Sequence, residues 1–356
     1  MEEKKDTLGM LDLVIRPGFC VKENQIIKVN QAAESLFITP GTDVRPLLLT
    51  GLEEYAAFTG GCLYLTLNLS SHSCGASVTR VDDIDVFLLE QESDNGELRS
   101  MALAARELRE PLTNVMITAD SLFPLCAAES SPRTAEQVAR LNRGLFQILR
   151  IIGNMSDAER CAAVSHQETV DIPALFAEFF EKAETLVSHT GITLTYEGPD
   201  QPIYGLADRE QLERAVLNIL SNAIKFTPKG GTVTAKLTRS GRMLRLSVTD
   251  SGSGIAQSVR SSVFSRYLRQ PALEDSRYGI GLGMVLIRTA AAHHGGAVLI
   301  DQPEGVGTRI TMTMSIRQSK QATLRSNVLR VDYAGERDHA LIELSDVLPA
   351  EYYRDF

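Results

Sequence analysis

The chain has 356 residues, 44% of them apolar and 23% charged, with a net charge of −9. That length suggests two or three domains with ordinary cores, and the acidic balance argues against a nucleic-acid partner. No run reaches the roughly 18 uninterrupted apolar residues of a membrane span. The start, MEEKKDTLGM, lacks the apolar core of a signal peptide, and five scattered cysteines without CxxC spacing fit reduced thiols in a cytoplasmic protein, with no support for a structural zinc site.

Residues 1–91 read as a small mixed α/β domain. Phe19–Val21 and Gln25–Val29 are short strands around the turn Lys22-Glu23-Asn24, and Asn30 caps a short helix running to Phe37. Gly61–Leu69 alternates Cys62, Tyr64, Thr66 and Asn68 with Leu63, Leu65, Leu67 and Leu69, the pattern of a half-buried strand. Ala76–Arg80 and Asp85–Glu90 add two more strands. The segment IIKVNQAAESLF resembles the start of a PAS sensor domain, which implies a sensed ligand that the sequence does not name. His72, Cys62 and Cys74 read as packing or surface residues rather than a haem or redox site.

From residue 92 to 166 the pattern turns helical. Leu98, Met101, Ala102, Ala105, Leu108, Leu112, Val115 and Met116 follow a helical repeat from Glu92 to Cys126. Pro124, Glu129-Ser-Ser and Pro132 mark a loop, and Val138, Leu141, Leu145, Ile148, Ile152 and Met155 give the seam of a second helix over Thr134–Cys161. Two antiparallel amphipathic helices cannot cover their own stripes, so dimerisation into a four-helix bundle is expected, with a second copy or a related chain.

Residues 167–316 hold the chemistry. In Asp208–Val233, DREQLERAVLNILSNAIKFTPKGGTV, Asn218 and Asn222 lie four apart within an apolar helical pattern and share a face. Amide oxygens suit Mg²⁺ bridging to phosphates, and Lys225 follows where a cation could meet them. Lys229, Gly230 and Gly231 end the helix and lead into a strand over Thr232–Leu237. Leu244–Ile255, LRLSVTDSGSGI, is a strand running into Asp250, Gly252 and Gly254. A carboxylate there suits an exocyclic amine such as that of adenine. Tyr278–Ala290, YGIGLGMVLIRTA, places Gly279, Gly281 and Gly283 before an apolar helix, whose free N–H groups and dipole favour phosphate.

These three motifs resemble, in order, the N box and the two glycine boxes of the ATP-binding domain of bacterial sensor histidine kinases. VFSRYLRQ, around Phe264 to Arg269, is similar to the F box between them. The resemblance implies an α+β chain: a PAS-like sensor, an antiparallel hairpin, and an α/β-sandwich ATPase domain of the histidine kinase/gyrase type. It assigns Asn222, with Asn218, to the Mg²⁺–phosphate side, Asp250 to the adenine amine, and the glycines to lid and phosphates. Arg266 and Arg269 would hold the γ-phosphate from a lid between Gly254 and Gly279. Where gyrase-type ATPases place a water-activating glutamate, this chain has Asn218, and an amide accepts no proton at neutral pH. Steady ATP turnover is therefore expected to be slow. Glu210 and Glu213 read as surface residues.

The first hairpin helix carries Ala105-Arg-Glu-Leu-Arg-Glu-Pro-Leu-Thr113, which resembles the family's H box but departs from it at the acceptor. Arg106 stands at the phosphoacceptor histidine position and Glu110 four residues on. Phosphoryl transfer needs an available lone pair in line with the γ-phosphate. Neutral imidazole has one, whereas guanidinium offers only donors. Glu107, which in the family would orient that imidazole, has none to serve. Arg106 and Glu110 are expected to form an i,i+4 pair worth ~0.3–0.5 kcal/mol. None of His72, His166, His189, His293, His294 or His339 stands in an H-box pattern, and His293 and His294 read as partners of a helix C-terminal dipole.

Residues 317–356 extend past the usual end of the ATPase domain. Asn327–Tyr333 and His339–Leu344 read as strands of a hairpin, and Tyr352, Tyr353 and Phe356 as an aromatic end that docks on this chain or a partner. The expected protein binds Mg–ATP, lacks autophosphorylation in its own H box, and signals through dimer geometry. The competing expectations are a kinase that phosphorylates a partner's histidine in trans and feeds a response regulator or phosphotransfer protein, and a ligand-sensing scaffold without enzymatic activity.

Overall fold

The computed structural model describes residues 7–69, 72–90, 92–128, 132–163, 166–255, 264, 282–303, 307–317 and 338–354. After a short helix α1 (Thr7–Leu11), strands β1 (Gly18–Lys22) and β2 (Gln25–Val29) form the expected hairpin. Asn30 does more than cap α2 (Gln31–Glu34). Its Oδ1 accepts from the Ala33 and Gly18 amides, each at 3.0 Å, while its Nδ2 donates to the Val14 and Arg16 carbonyls. A buried amide with both ends satisfied in this way fixes the chain entering the sheet.

Helix α3 (Leu52–Ala56) leads to β3 (Cys62–Asn68), β4 (Ser73–Val81) and β5 (Ile84–Leu89). The five strands pair antiparallel in the order β2-β1-β5-β4-β3. The half-buried reading of β3 needs correction, because most of both faces is covered. Leu63, Leu65 and Leu67 pack into the N-terminal core, and Cys62 and Tyr64 into the core of the following domains. The alternation in the sequence separates two apolar environments, not core from solvent.

Helices α4 (Glu92–Ala128) and α5 (Pro132–Ala163) form the long antiparallel hairpin. Only part of the expected seam closes. Ala102, Ala105, Leu112, Met116, Leu145 and Ile152 are buried, whereas Leu108, Val115 and Leu122 on α4 and Leu141 and Ile148 on α5 stay about half exposed. The spacing 108, 115, 122 is a heptad, the stripe an associated helix would cover. Light scattering is expected to give a dimer for the wild-type chain and a monomer for the double variant Leu108→Glu, Val115→Glu. A monomeric wild-type at micromolar concentration would remove the dimer.

The third part begins with β6 (Glu168–Asp171) and α6 (Ile172–Val187). It continues through β7 (Thr193–Glu197), β8 (Tyr204–Ala207), α7 (Arg209–Phe226), β9 (Thr232–Ser240) and β10 (Met243–Asp250). Helix α8 (Leu282–His293), β11 (Val298–Asp301) and β12 (Arg309–Ser315) complete it. Helices α6, α7 and α8 bury apolar faces against the sheet β11-β12-β10-β9-β7, in which only the β7–β9 pair is parallel. Antiparallel pairing of β3 with β11 joins this sheet to the N-terminal one, so ten strands run continuously. Each domain covers an edge the other would leave open.

The C-terminal reading is corrected in part. His339–Glu343 is a helix, α9, not a strand, started by the Asp338 side chain accepting from the Ala340 amide at 2.7 Å. Ala340, Leu341, Ile342, Glu343, Leu344 and Ser345 are all buried, so the run has no exposed face whose period could separate helix from strand. The aromatic end docks on this chain. Tyr353 is fully buried, its ring 5.0 Å from that of Phe146 and its hydroxyl donating to the Leu341 carbonyl. Asn327–Tyr333 and Phe356 lie outside the described residues.

Candidate nucleotide site

Helix α7 starts at Asp208, whose Oδ1 accepts from the Gln211 amide and whose Oδ2 accepts from the His166 amide. Its apolar positions Leu212, Ala215, Val216, Ile219, Leu220 and Ala223 are buried, which turns Asn218 and Asn222 toward α8. A Cβ added to Gly283 at the start of α8 would lie 2.8 Å from Asn218 Oδ1, so the glycine allows that close approach. Asn222 is partly buried. Its Nδ2 meets the Met284 sulfur at 3.9 Å, and its amide oxygen accepts no hydrogen bond among the described residues. Lys225 lies one turn on, its Nζ 3.7 Å from Asp346 Oδ2.

Asp250 ends β10, buried, with Oδ1 accepting from the Gly252 and Thr308 amides at 2.8 and 3.2 Å. Burial raises its pKa, and the backbone donors oppose that shift. A side chain at Gly252 would collide with the Phe226 carbonyl, so the turn after Asp250 fits closely under the end of α7. Gly254 adopts φ +74°, a left-handed conformation that glycine takes without strain. Gly279, Gly281, Arg266 and Arg269 lie outside the described residues.

Residues 207–318 match the family of histidine kinase-, DNA gyrase B- and HSP90-like ATPases. An uncharacterized sensor-like histidine kinase of Rhizobium meliloti is 29% identical over 63% of this chain and 44% of its own length. The adaptive-response sensory kinase SasA of Synechocystis is 28% identical over 70% of this chain and 68% of its own. The crystal structure of full-length ShkA in complex with AMPPNP superposes with a TM-score of 0.51 at 24% identity, covering 62% of this chain and 46% of ShkA. Residues 207–318 belong to this ATPase family, and most of the chain is similar to sensor histidine kinases. The chain spans from under half to about two-thirds of the length of these relatives.

The segment that resembles an H box lies on an open face of α4. Arg106, Glu107 and Glu110 are all exposed. The expected Arg106–Glu110 pair does not form, since α4 leaves both side chains in water, where such a pair gains little. Arg109 instead crosses to α5, donating to Ser156 Oγ at 3.1 Å.

Two further expectations change. Glu213 is partly covered and faces His339 at 3.5 Å rather than open solvent. His293 and His294 are not cationic dipole partners, because burial lowers both pKa values and keeps the rings neutral near pH 7. His294 accepts from the Asp208 amide through Nε2 at 3.0 Å, and its Nδ1 lies 2.7 Å from the Ala290 carbonyl, which ties the end of α8 to the start of α7. Because the unfolded chain binds this proton more readily, stability should be lost as pH falls from the ordinary histidine value of about 6.5 toward the depressed one. Thermal melts of the wild-type should fall over that window, and those of His294→Gln should fall less. Equal slopes would place the effect elsewhere.

Three contributors were missed. Thr308 joins the Asp250 cluster, and the preceding Gly305-Val-Gly307 was its sequence signal. Arg288 on α8 pairs with Glu90 at 2.5 Å, lies over the Tyr64 ring at 4.9 Å and donates to the Phe264 carbonyl at 3.1 Å. Phe264, of the F-box motif, packs against Tyr64 with ring centroids 5.5 Å apart. Nothing local in the sequence marked the third contributor, Arg214, whose partners come from residues far away in the chain.

Proposed function

We propose that this chain is a nucleotide-binding signalling protein of the sensor kinase family that does not phosphorylate its own hairpin. The donor set supports an Mg–ATP site. Asp250 presents a buried carboxylate at a glycine turn, Asn222 presents an amide oxygen, and glycines admit close backbone approach. A bound Mg²⁺ would neutralise phosphate charge; this chain's own residues would orient the base and hold the phosphates.

One observation carries the negative half of the reading. The acceptor position of the H box holds an exposed guanidinium, which has donors but no nucleophilic lone pair. Signalling then works by geometry. Nucleotide occupancy biases the arrangement of ATPase domain and hairpin, and a partner such as a second copy or a response regulator reads the result. The β2-β1-β5-β4-β3 order supports the PAS-like reading of the N-terminal domain, and the Tyr64, Glu90, Arg288 and Phe264 contacts offer a physical link between sensor and ATPase domain.

Incubation with γ-labelled ATP tests this. The isolated chain should carry no acid-labile phosphate. Label on this chain overturns the proposal, and label appearing only on an added partner with an intact H box establishes the trans kinase instead.

A further inference from the structure

The residues assigned to the phosphate side of the site are already in the company of carboxylates. Glu343 is fully buried. Its Oε1 accepts from Arg214 Nη2 at 3.0 Å, and its Oε2 accepts from Arg150 Nε at 3.2 Å and from Asn218 Nδ2 at 3.3 Å. The other end of the Asn218 amide accepts from Arg150 Nη2 at 3.4 Å. Asp346 Oδ2 lies 2.5 Å from Arg150 Nη1 and 3.7 Å from Lys225 Nζ. Thus Asn218 and Lys225, two of the three groups on α7 expected to meet phosphate oxygens, face oxygens supplied by the chain itself.

This contact is built. Tyr353 and Leu348 anchor the segment in the core, and Arg143 on α5 donates to the carbonyls of Ser345 and Asp346, each at 2.9 Å. The contacts of Tyr353 with Phe146 and of Arg143 with the segment fall on α5 and leave Asp250, at the other end of the site, untouched. A phosphate chain and two carboxylates cannot share the same donors without strong like-charge repulsion in a poorly solvated space.

We propose that residues 338–354 are an intramolecular competitor for the phosphate chain of the nucleotide. Docking of the segment on α5 and α7 and binding of a Mg–nucleoside triphosphate are mutually opposed, and by linkage each weakens the other equally. The proposal rests on the nucleotide reading above. It predicts a chain that holds its site closed against triphosphate until the segment is drawn away, and that ties the hairpin to the ATPase domain while closed.

Hydrogen exchange on the full wild-type chain tests it, with Mg–AMPPNP as the probe. Amides of 338–354 should exchange at least tenfold faster at saturation. In parallel, Asp346→Asn and Arg143→Ala, both on partly exposed side chains, should each tighten Mg–AMPPNP binding about tenfold and leave adenosine binding unchanged. Full binding of Mg–AMPPNP with undiminished protection of 338–354 and unaltered affinity in both variants overturns the competitor and leaves the nucleotide reading standing. Weaker binding in both variants also overturns it, since the segment would then help to build the site. Failure of every form to bind either Mg–AMPPNP or adenosine defeats the nucleotide reading and the competitor with it.

Discussion

Asp250→Ala is expected to abolish the stabilisation of this chain by Mg–nucleotide. A ligand present at a hundred times its dissociation constant stabilises the folded state by about 2.7 kcal/mol, which for a chain of 356 residues is a rise in Tm of roughly 4 °C. Asp250 is the carboxylate proposed for the adenine end, already fixed by the Gly252 and Thr308 amides, so the alanine variant removes the acceptor and leaves those two donors without their partner. Asp250→Asn keeps an oxygen for the two amides but turns an NH₂ donor toward the amine of the base, and it should fail as well. Burial raises the pKa of this carboxyl, so affinity should begin to weaken above the usual carboxylate range as pH falls, because the protonated group donates where it must accept. Differential scanning fluorimetry with and without Mg–AMPPNP at two pH values gives the result directly. A full nucleotide shift in Asp250→Ala would sink the assignment.

Arg214→Met should be the most destabilising single change in the described part of the chain outside the apolar core. Its guanidinium is buried on α7 and holds three elements at once. It pairs with Asp157 on α5, donates to Asn154 Oδ1 at 2.9 Å, and donates to Glu343 of the C-terminal segment at 3.0 Å. Removing one partner of a buried ion pair leaves uncompensated charge and costs about 3–5 kcal/mol. Arg150 still reaches Glu343, which moderates the loss on that side. Equilibrium urea unfolding measures the cost. The double variant Arg214→Met, Glu343→Met should recover part of it, because these groups share one network and their effects are not additive. A loss below about 1 kcal/mol would mean that water reaches this cluster.

The local geometry of the candidate nucleotide site was legible before any fold was known. Asn218 and Asn222 share a face because the helix repeat says so, and Asp250 ends a strand because apolar alternation stops there. Glycines at turns carry their own physical reason. The errors have a common cause. β3 alternates as a surface strand would, and only the second domain packed on its other face reveals why Cys62 and Tyr64 are buried as well as the leucines. His339–Glu343 was too short for its period to be secure, and its capping aspartate lies at the edge of a stretch that reads as a turn. The hairpin seam was overfilled, because a helical repeat records apolar positions without naming the surface that covers each.

By itself, the sequence determined the elements whose signals are local: the helix and turn glycines of the candidate nucleotide site, the long hairpin, and the arginine in the segment that resembles an H box. Tertiary structure alone decided that β3 and β11 join two sheets into one, and that Glu343 meets Asn218 across 125 residues of chain. Propensity and periodicity act over a few residues and leave a readable pattern. The pairing of buried charges depends on where distant segments arrive, and a lone glutamate or arginine carries no mark of its partner.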